Sequence, residues 1–230
     1  MKIKTALILC AGFGKRLYPI TSKNPKPLLE INNFTLLENT INLVKALGME
    51  RILINTFHLK SKIRDFINNN NFNIKIDIIE DGEKILDTGG GIKNMVNYID
   101  ENIFLVFNPD TVWDLNYVEF INKMYEFFLI SKAQNILLVA DKKLSFDKNL
   151  EGDFSLEKNL LYKNNNKNYI YTGCQIISKN LLKNIDKKFF SINEIWSQLI
   201  NRNALFGFKS TNKFYHVTDL EIYNKILKNN

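Results

Sequence analysis

Cysteine is almost missing from this chain. Cys10 and Cys174 are the only two thiols in 230 residues, far apart and each inside an apolar stretch. That excludes a disulfide-framed secreted scaffold and points to a reducing, cytoplasmic setting. Histidine is equally scarce, with His58 and His216 alone. Without CxxC or HxxxH spacing, a structural zinc site has no ligand set. No apolar run approaches the ~20 residues of a spanning helix, the longest being 5–13 and 103–107, so no membrane association is expected. The opening Met1-Lys2-Ile3-Lys4 ahead of 5–13 mimics a signal peptide. The apolar stretch runs straight into Lys15-Arg16 with no cleavage site, which reads as a strand instead. Internal repeats are absent, and so is any lysine/arginine cluster interleaved with aromatics, so no nucleic-acid partner is expected. The formal charge of +7 would suit an anionic partner. The lysines are scattered among abundant Asn and Ile, however, and codon bias accounts for the charge equally well.

The composition that is present, 45% hydrophobic and 24% charged, can bury a full core. Runs rich in Ile, Leu and Val alternate with segments of helical period. Strands are expected over 3–10, 51–56, 72–79, 103–107 and 136–140, with helices over 36–47, 59–67, 91–98 and 118–130. This alternation predicts an α/β protein with a Rossmann-like, mostly parallel mixed sheet covered by helices. Beyond residue 141 the pattern loosens into strand-like pieces over 153–162, 169–177 and 204–208. Helices follow over 192–201 and 219–227, and the polar tract 163–168 reads as a turn. One domain over 1–230 is expected, with the regular α/β part over 1–140 and an appended small lobe over 141–230. The long connections 11–33, 80–90 and 108–116 each follow a strand, and so should meet at the carboxyl edge where open α/β sheets bind ligands.

The first of these loops carries the densest chemistry. Gly12 and Gly14 leave a strand in a turn where backbone N–H groups can close on an anion, and Lys15 and Arg16 add positive charge for a polyphosphate. A tight strand exit with two solvated cations is the competing reading. A dinucleotide fingerprint fails because Leu17 stands where a third glycine is needed, and a Walker A loop fails for want of Gly-Lys-Ser/Thr. Lys26 is flanked by Pro25 and Pro27, which stiffen the backbone that presents it.

The combination Leu9-x-Ala11-Gly12-x-Gly14-x-Arg16-Leu17-x-Pro19-x-Thr21 with Pro25-Lys26-Pro27 resembles the signature of the sugar-phosphate nucleotidyltransferases, also called nucleotide-sugar pyrophosphorylases. Further matches are Asp87-Thr88-Gly89-Gly90-Gly91, Asn108-Pro109-Asp110 and Tyr171-Thr172-Gly173. Length and order of the pieces look most like the short bacterial branch of that family that acts on N-acetylmuramate 1-phosphate. The resemblance implies a nucleotide-diphospho-sugar transferase fold whose small lobe binds sugar. It implies transfer of a nucleoside monophosphate from an NTP, UTP first, to a sugar 1-phosphate with release of pyrophosphate. Mannose or heptose 1-phosphate with GTP, phosphocholine with CTP, and a catalytically silent nucleotide-sugar binder are the alternatives. By the same resemblance Ala11, Gly12, Gly14, Lys15 and Arg16 hold the NTP phosphates and Lys26 meets the reacting ones. Thr88 and Gly89 contact the base, Asn108 the substrate, and Gly173 the sugar pocket. Arg16, Lys26 and Asp110 are thus the expected catalytic residues, in a monomer or dimer.

Asp110 would bind Mg²⁺ or Mn²⁺, since such ions take one or two carboxylates beside phosphate oxygens and water. Two departures qualify the match. Asn-Gly-Asp becomes Asn108-Pro109-Asp110, and the aspartate that commonly supplies a second carboxylate is replaced by His216 in His216-Val217-Thr218-Asp219. Imidazole suits Mn²⁺ better than Mg²⁺, or could donate to a phosphate. Asp219 reads as the N-cap of the last helix, and His58 as structural. The three glycines 89–91 would let a flat base approach the backbone, or merely open a helix.

Overall fold

The computed structural model describes residues 3–229. Met1 and Lys2, where the signal-like start was read, lie outside the described residues. The apolar runs form β1 (Thr5–Leu9), β4 (Arg51–Thr56), β5 (Lys75–Glu80), β6 (Ile103–Phe107), β7 (Asn135–Asp141) and β10 (Tyr169–Ser178). Shorter pieces add β2 (Glu30–Ile31), β3 (Phe34–Thr35), β8 (Ser155–Glu157), β9 (Leu160–Tyr162) and β11 (Phe206–Ser210). Apart from the small β2–β3 hairpin, all belong to one sheet in the order β5-β4-β1-β6-β10-β7-β11-β9-β8. β5, β4, β1 and β6 run parallel, β10 lies antiparallel to both β6 and β7, and β11 is parallel to β7. The C-terminal strands therefore extend the same sheet.

Unbroken apolar strands are expected where both faces are covered, and the side chains divide accordingly. Ala6, Ile8, Ile52, Ile54, Leu105, Phe107, Ile136 and Leu138 enter one core, while Leu7, Leu53, Phe104, Val106, Leu137 and Val139 enter the other. The first core is closed by α1 (Leu36–Ala46), α2 (Lys60–Asn69) and α4 (Tyr117–Ser131), through Ile41, Ile63 and Met124 among others. The second is closed by α3 (Asp87–Val96) and α5 (Ile192–Asn201), through Ile92, Met95, Trp196 and Leu199. A third cluster joins Leu17, Leu29 and Leu36 to Ile222, Tyr223 and Ile226 of α6 (Leu220–Lys228), so the last helix braces the glycine-rich loop. Asp219 caps α6 as expected, its carboxylate accepting the Ile222 N–H at 2.9 Å. No helix among the described residues is long and apolar enough to cross a membrane.

Two expectations about element bounds need correction, and one element is new. The helix expected over 91–98 begins at Asp87, so the glycine run lies inside its first turns. The strand expected over 153–162 is a hairpin, turned by Lys158 and Asn159 at φ 47° and 65°. The β2–β3 hairpin was not anticipated; it turns on Asn32 and Asn33 in the left-handed region, which asparagine tolerates. Register then places the site: Leu9 lies opposite Asn55, and Thr56 opposite Glu80. The loops after β1, β5 and β6 accordingly leave from one edge.

Candidate functional site

The glycine turn is tied down from beneath. The Cys10 N–H donates to Asn55 Oδ1 at 2.9 Å, and Asn55 Nδ2 donates to Asp81 Oδ1 at 3.1 Å, both side chains being buried. Gly14 is left-handed at φ +63°, and an added Cβ would meet Thr21 Cγ2 at 3.0 Å and Lys26 Cβ at 3.2 Å. Thr21 Oγ1 donates to the Gly14 carbonyl at 2.8 Å. Gly12 differs: its φ is ordinary, and an added Cβ would meet nothing within 4 Å. Protein packing does not demand glycine there, and the freed space belongs to a cavity. Cys10 lines that cavity and packs in the first core; burial and then the Asp110 charge push its thiol pKa far up, so it is held as an unreactive thiol.

Three charged or titratable groups meet beside this turn. Lys26 Nζ donates to Asp110 Oδ2 at 2.7 Å, with both side chains largely buried. His216 Nε2 lies 3.7 Å from the same oxygen. The histidine is held there by a β-bridge between Thr111 and His216 and by the Val217 N–H, which donates to the Asp110 carbonyl at 2.9 Å. Burial raises the Asp110 pKa, but the Lys26 and His216 charges outweigh it and bring the value down to about 2. Burial, aided by Lys26 and Arg16 and opposed by Asp110, lowers His216 to about 4, so its imidazole is neutral at pH 7. Asp110 Oδ1 is buried without a hydrogen-bond partner.

Two cavities share this wall. One of about 230 Å³ is lined by Ala11, Gly12, Gly14, Lys26, Asn55 and Ile85. The other, about 800 Å³, is lined by Arg16, His216, Phe154, Tyr171, Gln175 and Trp196. Leu9, Asp87, Thr88, Asn108 and Asp110 line both. Of the expected site residues, Ala11, Gly12, Gly14, Arg16, Lys26, Thr88, Asn108, Asp110 and His216 are thus brought together.

Lys15, Gly89 and Gly173 line neither cavity. Lys15 Nζ sits over the Phe13 ring at 5.5 Å. Gly173, left-handed at φ +92°, lies under Asn108, whose N–H donates to its carbonyl at 2.7 Å. The glycine run has an internal reason: Cβ atoms at Gly89 and Gly90 would run into the Phe190 ring and the Lys188 carbonyl, and one at Gly91 would reach Asn55 Nδ2 at 2.6 Å. Thr88 Oγ1 accepts the Ile192 N–H at 3.0 Å, joining α3 to α5. His58 Nε2 donates to the Thr21 carbonyl at 3.0 Å, a structural contact.

Sequence reasoning missed Asn55, Asp81, Gln175 and Trp196. A polar Asn55 closing the otherwise apolar run 52–54 was the signal available for the first. Gln175 Oε1 accepts from Asn135 Nδ2 and Trp196 Nε1, a buried network whose members are distant in sequence.

A glycine turn with cations beside it thus sits at the carboxyl edge of a doubly covered α/β sheet, where open sheets of this kind bind ligands. A family model described as Nucleotidyl transferase matches residues 5–140, and the chain belongs to that family. It is 39% identical over 117 residues to the bifunctional protein GlmU of Methanococcus vannielii, a match covering 51% of this chain and 27% of that relative. The chain thus spans about a quarter of the length of that relative. It is 22% identical over 223 residues to the N-acetylmuramate alpha-1-phosphate uridylyltransferase of Caulobacter vibrioides, covering 94% and 92% of the two chains. HddC from Yersinia pseudotuberculosis complexed with GMP-PN superposes with a TM-score of 0.80 over 99% of each chain at 22% identity, which establishes the fold.

Proposed function

We propose that the protein transfers a nucleoside monophosphate from an NTP, UTP in the first instance, to a sugar 1-phosphate, N-acetylmuramate 1-phosphate in the first instance. The observation that carries this reading is Asp110, on the wall common to the two cavities, paired with Lys26 from the smaller one. Each substrate has its own chamber, and their phosphates meet where the charges are. The smaller chamber, behind the glycine turn, takes the nucleotide; the larger takes the sugar phosphate.

An acceptor phosphate oxygen forms a bond to the α-phosphorus while the α–β bridging P–O bond breaks, its electron pair leaving with pyrophosphate. The attacking oxygen is already anionic, so no general base is needed. Positioning and charge neutralisation supply the catalysis. Lys26 offers one positioned ammonium, Arg16 a second cation on the acceptor side, and the N–H groups around Gly12 a cradle without a Cβ in the way.

A divalent ion fits the donors present. Asp110 Oδ1 is a buried carboxylate oxygen without a partner, and the neutral His216 imidazole lies beside the same group. Among the described residues no cluster of three or more His, Cys, Asp or Glu suits a metal, so phosphate oxygens and water would complete its shell. Asp110 and His216 would hold Mg²⁺ or Mn²⁺, which when bound neutralises phosphate charge.

The test is pyrophosphate release with Mg²⁺ or Mn²⁺, crossing the four NTPs with N-acetylmuramate, glucose, mannose and N-acetylglucosamine 1-phosphates and phosphocholine. Release confined to UTP with N-acetylmuramate 1-phosphate is the expected result. Release with GTP and mannose 1-phosphate alone would replace the substrate pair and keep the reaction class. No release in any combination would sink the reading.

A further inference from the structure

Near its carboxyl end β4 breaks its own pattern. Ile52, Leu53 and Ile54 are fully buried apolar side chains, and Asn55 follows them at 2% exposure. Burying an amide is unfavourable unless its hydrogen bonds are made, and both ends of this one are engaged. Asn55 Oδ1 accepts the Cys10 N–H at 2.9 Å, while Nδ2 donates to Asp81 at 3.1 Å to Oδ1 and 3.4 Å to Oδ2. As a carboxylate, Asp81 only accepts, so it sets the amide with its nitrogen towards β5 and its oxygen towards the glycine turn. Packing removes the remaining freedom: a Cβ on Gly91 would meet Asn55 Nδ2 at 2.6 Å, so α3 lies directly against the amide.

Two walls of one cavity hang from this pair. On one side Cys10 leads into Ala11 and Gly12. The Ala11 carbonyl accepts the His58 N–H at 3.4 Å, and because a trans peptide holds its C=O and N–H on opposite sides, the Gly12 N–H is directed away from the end of β4. On the other side the Asp81 N–H donates to the Thr56 carbonyl at 3.0 Å, and Asp81 Oδ2 accepts the Leu86 N–H at 3.4 Å, which folds 81–86 back over the carboxylate. Ile85 and Thr88 from this segment line the smaller cavity together with Ala11, Gly12 and Asn55 itself. Packing alone would be served by an apolar side chain, as at 52–54. What an amide adds is a set of polar contacts that reach both loops at once.

We infer that Asn55 is a positioning residue for the nucleotide: held in one orientation by Asp81, it locks the glycine turn and the segment 81–88 into a single cradle before the NTP arrives, so that binding does not have to order them. The inference rests on the assignment of the smaller cavity to the nucleotide under the proposed function.

Exchanging the pair tests this. Asn55→Asp keeps an acceptor for the Cys10 N–H but sets two carboxylates against each other. Adding Asp81→Asn restores every contact with the donor reversed, since the amide at 81 donates to the carboxylate at 55 and still accepts from Leu86, and the net charge is again that of the wild type. Calorimetry is run on the full chain with each of the four NTPs and with N-acetylmuramate 1-phosphate, at a temperature where circular dichroism shows every variant folded. The NTP Kd should rise about tenfold in Asn55→Asp and return most of the way in Asn55→Asp/Asp81→Asn, while the Kd of the sugar phosphate stays put in both. Asn55→Ala, which withdraws the acceptor without adding charge, takes the place of Asn55→Asp if that variant does not fold. Wild-type NTP affinity in the single variant, or a double variant that is not restored, would overturn the inference. So would equal weakening towards NTP and sugar phosphate, which marks a merely structural role. Pyrophosphate release on the same samples separates the two readings. NTP affinity that follows the pair without any release removes the transfer reaction and keeps the positioning role. Release at one unchanged NTP affinity in all variants does the reverse, and a wild type that binds no NTP ends both.

Discussion

The two halves of this sheet are built under different constraints. Residues 5–140 supply β1, β4, β5 and β6 in parallel, with the glycine turn and Asp110 at their carboxyl ends, and it is this stretch that the family model matches. Residues 141–229 supply the long antiparallel β10, the short β8–β9 hairpin, β11 and a polar tract, and several of their side chains line the larger cavity. Under the proposed function, phosphate handling falls to the cations and backbone donors of the first half, and acceptor choice to side chains of the second.

Replacing residues on either side of that division should give unequal effects. The largest is expected from Lys26→Ala, which removes the ammonium nearest the shared wall: pyrophosphate release should fall about 10²–10³-fold, with far-UV circular dichroism unchanged. Retained turnover would place phosphate handling elsewhere. Next are two glycines that look alike in sequence. Gly90→Ala forces a Cβ against the Lys188 carbonyl and should cost about 2 kcal/mol in a urea melt. Gly12→Ala, opening onto free space, should leave the melt in place and weaken NTP binding about tenfold.

A smaller effect is expected from His216→Asp, which restores a carboxylate beside Asp110. The Mg²⁺ concentration for half-maximal release should drop a few-fold if that position binds metal, and loss of activity with every divalent ion tested would show that it does not. The smallest effect concerns pH. Burial holds the Asp81 carboxyl above its ordinary value against the opposing hydrogen bonds from Asn55 and Leu86. The unfolded chain therefore releases this proton first, and stability declines as pH rises from the ordinary carboxylate range through the raised native value. Asp81→Asn should flatten that segment of a stability-against-pH curve, visible as a shift in urea midpoint.

How much of this was legible follows the same division. The central strands announce themselves because burial on both faces requires unbroken Ile, Leu and Val, as in 52–54 and 136–139. The resemblance that singled out Arg16, Lys26 and Asp110 rests on short motifs, which are local in sequence, and the fold brings the three beside the cavities. The start of α3 was not, since glycine is a poor helix former and only the approach of Phe190 and Lys188, a hundred residues on, together with Asn55 from β4, explains three in a row. Asn55–Asp81 and Gln175–Trp196 depend on tertiary neighbours, and spacing along the chain does not reveal them.

The position of β10 has a kinetic consequence. It lies between β6 and β7, strands that both precede it by at least 28 residues and that do not touch one another. When the ribosome has finished residue 141, one edge of β6 and both edges of β7 await β10 and β11, which have yet to be made. The stretch the family model matches is thus not a unit that folds first and waits for its remainder. Pairing of β6 and β7 with β10 joins residues far apart in sequence, which places it late and makes it slow. An isolated 1–141 fragment should aggregate through those edges, and nascent-chain protease resistance should appear only after the codons for β10 have been read.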